Sequence, residues 1–363
     1  GIVTPSVAGF LAGSIPLLVF FVRLGLTAKP SERPGLLALL PIYVAGGTFF
    51  MILHLNGSAM TQWARDSTDR YITLPGLPKQ EGLPSYYPNA GEDIPRPDPR
   101  SLLVVAEVAL AVMLLVGAGL LALRSLGGGG SSTDAVPETG VLAGHSVGEV
   151  TAAAGAGVLS EGDAMRFVAV RGRALAAASA LTPTGMSAVL GGDPDAVLAT
   201  IGRHLLTPAN VNGAGQVVAA GSLPALADLS ADPPARARVI PLKVAGAFHT
   251  HYMQPAVDEL RAASTQFEVS DPAVTLVSNR DGAIVTEGDA VLQRLVAQVS
   301  TPVRWDLCME RFAALGVTAL IEVPPAGTLT GLAKRAMKGV ELLALKTPDD
   351  LDAARALIKE HTA

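Results

Sequence analysis

The sequence predicts an α/β protein behind an apolar N-terminal region. Three observations predict it. Over 133–363, short apolar strands alternate with Ala- and Leu-rich helices, the order of an α/β fold. One strand runs through Gly-x-Ser-x-Gly directly into a helix. Ahead of it lie three apolar stretches, each reaching the roughly 20 residues a helix needs to cross a bilayer.

The 363 residues are 49% hydrophobic and 16% charged, with net charge -5 and mean hydropathy +0.40. That hydrophobicity excludes a disordered chain. The single cysteine, Cys308, excludes a disulfide framework and a cysteine-based zinc site, and reads as a core residue. A pI near 5.7 with no basic block leaves no nucleic-acid footprint.

Residues 1–22 carry no charged side chain, 34–64 carry none, and 102–123 carry only Glu107. These give two expected transmembrane helices over 1–73 and a third over 102–126. Residue Gly1 inside an apolar run reads as the start of a fragment. Seven prolines over 74–100 read as an extended connector (74–101), and Gly127–Gly130 with Ser131 and Ser132 as a flexible linker (127–138). Arg23, Lys29 and Arg33 favour a cytoplasmic first loop, which would tether 127–363 to the inner face of the membrane. Residues 1–75, with KPSERPGLLALLPIYVAGGTFF and NGSAMTQWA, resemble a piece of a proton-coupled peptide transporter. Residues 100–126, RSLLVVAEVALAVMLLVGAGLLALRSL, resemble one helix of a macrolide-export-type ABC permease.

The chemistry lies beyond. Val141–Ala143 leads into Gly144-His145-Ser146-Val147-Gly148-Glu149 and then an Ala-rich run, the nucleophile-elbow pattern. Glycines flank the serine where strand and helix approach closely, and the Val147 backbone N–H at the helix start is a candidate oxyanion donor. The alternative is a Gly-rich turn with a capping serine. A serine nucleophile needs a base. His249, following the run Val239–Ala245, is preferred over His54, His204 and His361. His249 with His251 as a metal pair is the rival reading, disfavoured because no third ligand is near in sequence. A helix starting at Ser160 places Ala164, Phe167, Val168, Arg171, Ala174, Leu175 and Ala178 on one face. Arg171 thus sits in an apolar stripe, where a guanidinium needs an anion such as a substrate carboxylate.

Residues 185–247 read as an insert. Met186–Leu190 is a strand. Asp193 caps a helix with Pro194 at its first position and a Val197, Leu198, Ile201, Leu205 stripe. Strands near Ala209–Val211, at Val217–Ala220 and at Val239–Ala245, with a helix over Ser222–Leu229, complete a ferredoxin-like βαββαβ order. Near the end, Thr347-Pro348-Asp349-Asp350 opens a last helix with Leu351, Ala354, Leu357 and Ile358 inward.

Residues 139–361 closely resemble the malonyl-CoA:acyl carrier protein transacylases. The resemblance rests on GHSVGE (144–149), Arg171-Gly172, NVNGAGQVVAAG (210–221), GAFH (246–249), PVRWD (302–306) and PPAGTLTGLAKR (324–335). It implies an α/β-hydrolase-like acyltransferase core over 139–363, truncated at its front, with the ferredoxin-like subdomain at 185–247. It implies a ping-pong transfer in fatty acid biosynthesis, from malonyl-CoA to the phosphopantetheine thiol of acyl carrier protein, with no cofactor or metal. Ser146 would be the nucleophile, His249 the base and Arg171 the partner of the malonyl carboxylate. The Gln298 carbonyl would orient His249. Asn212 would line the pocket, His145 would support it, and Phe248 would fit malonyl rather than methylmalonyl, by analogy with polyketide acyltransferases. A polyketide acyltransferase domain itself is a lesser reading, since no neighbouring module follows. The family's upstream GQG loop, source of a second oxyanion N–H, occurs nowhere in this chain. That leaves an alternative from another class, a catalytically inactive composite membrane protein.

Overall fold

A computed structural model describes residues 115–128, 131–138 and 140–362. The two apolar stretches and the connector expected over 1–101 lie outside the described residues.

The described part of the third stretch is a helix over 115–126, and it is a piece of the domain. Val116 and Leu120 are buried in the main core beside Val150, Ala153 and Phe167. Ala122 is buried with Leu345 and Ala354. Among the described residues, no helix is long and apolar enough to cross a membrane. A long apolar run suits a protein interior as well as lipid, so hydropathy alone could not separate the two. The serine end of the stretch that follows is also anchored. Ser132–Ala135 forms a 3-10 turn, Ser132 is buried, and its N–H donates to Glu161 Oε1 at 2.9 Å. Arg124 Nη1 reaches the same carboxylate at 3.2 Å. Glu161 thus pins both the helix and the turn.

Strand β1 (Val141–Ala143) pairs in parallel with β6 (Thr275–Val277). The helix Gly148–Gly155 leaves β1 through the serine turn, with seven of its residues buried. The long helix Glu161–Leu181 starts where the sequence places it, with Ser160 Oγ accepting from the Asp163 N–H. It packs on the helix Gln254–Ser264, whose Val257 and Leu260 are buried in the same core.

The insert has the expected βαββαβ order. Strands β2 (Thr184–Gly191), β3 (Thr207–Gly213), β4 (Gln216–Ser222) and β5 (Ala237–Pro241) make an antiparallel sheet in the order β5-β2-β4-β3. A short strand β7 (Val303–Arg304) adds to β3 in parallel. The helices Pro194–Arg203 and Leu223–Ala231 follow their caps Asp193 and Ser222. Two details differ from the sequence reading. The last strand ends at Pro241; Leu242 still donates its N–H to the Met186 carbonyl at 2.9 Å, but the chain then turns, the Val244 N–H bonding back to the Leu242 carbonyl, and Leu242 and Val244 are more than a third exposed. In the first helix's stripe, Val197 and Ile201 are buried but Leu198 and Leu205 are not. Leu205 follows the helix with φ 57°, which turns it outward and puts Leu206 into the core instead.

A third sheet pairs β8 (Ala319–Glu322) with β9 (Glu341–Ala344). The capping box of Thr347 and Asp350 precedes the final helix Leu351–His361 as expected, with Ala354 and Leu357 inward.

Candidate active site

Ser146 stands at the turn between β1 and its helix with φ 53°, a left-handed conformation costly for a serine. Gly144 makes this turn possible: a Cβ there would lie 2.1 Å from the Gly148 carbonyl carbon. Gly148 itself faces open space. Close approach therefore explains only the first of the two flanking glycines. Val147 is the N-cap residue of the helix, so its backbone N–H sits at the positive end beside Ser146.

His249 arrives from the other side, also at positive φ (62°), on the loop after β5. Its Nε2 lies 2.7 Å from Ser146 Oγ, and its Nδ1 lies 2.8 Å from the Gln298 carbonyl oxygen. A carbonyl only accepts, so Nδ1 carries the proton and Nε2 presents a lone pair to the serine hydroxyl. Burial, and then the charge of Arg171, lower the imidazole pKa from 6.5 to about 3. The ring is neutral and ready to accept.

Arg171 lies on the buried face of its helix, as the stripe predicts, and is 2% exposed. Its Nη2 donates to Ser146 Oγ at 3.3 Å. Its Nε and Nη1 are buried and meet no protein partner. Burial lowers its pKa to about 10, opposed by the charge of Glu149, so it stays a cation at neutral pH. A buried guanidinium with two unpartnered N–H groups beside a nucleophile has the chemistry to pair with a carboxylate.

His145 Nε2 lies 2.8 Å from Asn212 Oδ1, and the His145 ring meets Trp305 edge-on. Burial lowers the His145 pKa, the bond to Asn212 opposing it. Phe248 packs between the main core and the small cluster of Met186, Ala209 and Ala220. The structure therefore brings Ser146, His249, Arg171 and Gln298 into direct contact and joins His145 to Asn212. His251 does not share the site. It is exposed and lies against the Tyr252 ring. His204 ends its helix, and His361 bonds Thr318. Cys308 is fully buried, and burial holds its thiol far above the usual range. Among the described residues, no group of three His, Cys, Asp or Glu side chains could hold a metal ion.

Two residues escaped the sequence reading. Glu149 is buried, with Oε1 accepting from the Asn279 N–H at 2.8 Å and Oε2 accepting from Gln298 Nε2. The Asn279 amide donates to the Gly144 carbonyl at 2.7 Å. The signal for Glu149 was its place inside GHSVGE. Asn279 had none beyond lying just past the apolar run of β6.

A cleft of about 720 Å³ runs from Gly144, His145 and Val147 towards Trp305 and Leu320.

A family model described as acyl transferase domain matches residues 94–358. The match takes in all of 100–126, so the stretch that resembles a permease helix belongs to the acyltransferase region, in line with its buried helix. A malonyl CoA-acyl carrier protein transacylase of Mycobacterium bovis is 50% identical over 248 residues, covering 68% of this chain and 81% of the relative. One from Mycolicibacterium smegmatis is 49% identical over 252 residues, covering 68% and 86%. The crystal structure of MCAT from Mycobacterium tuberculosis superposes with TM-score 0.66 at 49% identity, over 69% of this chain and 82% of that one. A malonyl-transacylase solved with a type II PKS acyl-carrier protein gives TM-score 0.62 at 28% identity, over 70% and 82%. This chain belongs to the malonyl CoA-acyl carrier protein transacylase family of acyl transferases.

Proposed function

We propose that the chain transfers a malonyl group from malonyl-CoA to the phosphopantetheine thiol of acyl carrier protein, in fatty acid biosynthesis, through a malonyl-Ser146 ester. The observation that carries this reading is the buried Arg171 guanidinium, with free N–H groups, 3.3 Å from a serine hydroxyl that is itself 2.7 Å from a neutral histidine.

The geometry supports the following sequence. The malonyl carboxylate pairs with the idle N–H groups of Arg171, which places the thioester carbonyl at Ser146 Oγ. As Oγ attacks the carbonyl carbon, its proton passes to His249 Nε2. The oxyanion forms near the Val147 N–H. Collapse breaks the C–S bond, and the His249 proton leaves with the CoA thiol. The carrier thiol then enters, gives its proton to His249 and attacks the ester carbon. Ser146 leaves and recovers its proton. The Gln298 carbonyl holds the imidazole in one tautomer throughout. The carboxylate has a second effect: it offsets the Arg171 charge that depresses His249, so a malonyl group raises the basicity of the residue that activates its attacker.

The sequence lacks the GQG loop. One oxyanion donor is worth about 10²–10³ in rate, so a slow enzyme is expected unless another N–H serves. The alternative, an inactive composite, rests on that missing loop and forecasts no acyl-enzyme at all. Incubation with malonyl-CoA followed by peptide mass spectrometry decides between them. A malonyl adduct on Ser146, absent from Ser146→Ala, is the expected result. Folded protein that never acquires it refutes the transfer.

A further inference from the structure

We infer that Glu149 is a positioning residue that ties the nucleophile and the base to one buried anchor. The inference deepens the transferase reading and rests on it for its biological meaning. Glu149 is 3% exposed, and burying a carboxylate is costly unless its oxygens are met. Both are met by groups that touch the machinery. Oε2 accepts from the Gln298 side-chain amide, and the Gln298 backbone carbonyl accepts from His249 Nδ1 at 2.8 Å. Oε1 accepts from the Asn279 N–H, and the Asn279 amide holds the carbonyl of Gly144, two residues before Ser146. Gln298 Nε2 also lies 3.4 Å from Asn279 Oδ1, which closes the network. Glu149 itself follows Ser146 by three residues on the elbow helix, and its N–H donates to the Ser146 carbonyl at 3.0 Å.

The fixed object is the Gln298 carbonyl, and through it the imidazole. With the amide of Gln298 released, the loop Gln298–Ser300 loses its hold on the elbow, and the lone pair of Nε2 drifts from the hydroxyl proton. Gln298 Oε1 is buried with no partner. This spare acceptor matters for the test. A glutamine at 149 can offer an N–H to it when the Gln298 amide turns over, so reach is kept while charge is lost. An aspartate keeps the charge but withdraws it by one methylene from Gln298.

The experiment compares Glu149→Asp and Glu149→Gln in the full chain. A fluorophosphonate probe labels Ser146, and intact mass gives the rate constant per labelled molecule. Glu149→Asp is expected to label at least about tenfold more slowly, the value of one hydrogen bond to a charged group. Glu149→Gln is expected to stay within about threefold of the parent. A malonyl-CoA titration should place the loss of Glu149→Asp in kcat with KM nearly unchanged. The reverse order of the two variants, or parental labelling by both, overturns the inference. Because the probe carries no malonyl group, loss of malonyl transfer in the parent would sink the transferase reading while leaving this one measurable.

Discussion

Nη2 of Arg171 stands 3.3 Å from Ser146 Oγ, while Nε and Nη1 of the same guanidinium are buried without a hydrogen-bond partner. The cation and the nucleophile share one small volume, so acyl choice and acyl attack are set together. Arg171→Ala should lower malonyl transfer by about 10²-fold, the value of charge-assisted hydrogen bonds. Acetyl transfer should rise, because a neutral acyl group no longer faces a buried charge. Parallel assays with malonyl-CoA and acetyl-CoA decide it, and an equal fall in both removes the selective role from Arg171.

His249 makes stability depend on pH. Its pKa is about 3 in the folded site and near 6.5 in an unfolded chain. Between those values the unfolded state binds more protons, so folding stability rises with pH across this window. Stability is therefore shed as the pH drops from 6.5 towards 3, by up to a few kcal/mol. Urea melts at pH 7, 5 and 4 should show this slope in the parent and a shallower one in His249→Ala. Equal slopes would mean that the imidazole is not held neutral.

The two elbow glycines should behave differently. Alanine at Gly144 meets backbone at 2.1 Å, so Gly144→Ala should cost roughly 3 kcal/mol and Ser146 labelling together. Alanine at Gly148 enters open space at the first turn of a helix and should be neutral or stabilising by a few tenths of a kcal/mol. Thermal melts of the pair provide the check. Comparable losses at both positions would contradict the drawn turn.

The helix over 115–126 gives a sharper test of the domain's extent. Val116 is fully buried. Val116→Asp should destabilise the transacylase domain by several kcal/mol, since it would place a carboxylate in an apolar core cluster. Arg124→Ala, which removes a partly exposed ion pair with Glu161, should cost at most about 1 kcal/mol. Unfolding followed by Trp305 fluorescence reads both. An unchanged melt for Val116→Asp would detach this helix from the core.

Local chemistry carried much of the site into view from sequence. Glycine spacing marked Ser146, 3.6-residue periodicity put Arg171 on a buried face, and side-chain caps fixed the starts of the helices after Ser160 and Asp193. What stayed hidden depends on pairings that no local pattern encodes. Asn279 reaches Glu149 only because β6 lies alongside β1, across 130 residues of chain. Leu205 and Leu206 exchange places through one positive φ. The burial of the helix over 115–126 stayed hidden because its apolar run, up to Arg124, does not say whether protein or lipid will cover it.

The His145–Asn212 hydrogen bond crosses from the elbow to β3 of the small sheet. It is one of several ties between the small sheet and the rest of the acyltransferase, and it lies one residue away from the nucleophile. A rocking of the small sheet would load this bond, whose other end sits beside the nucleophile. Whatever grips that sheet from outside has a short mechanical lever on reactivity.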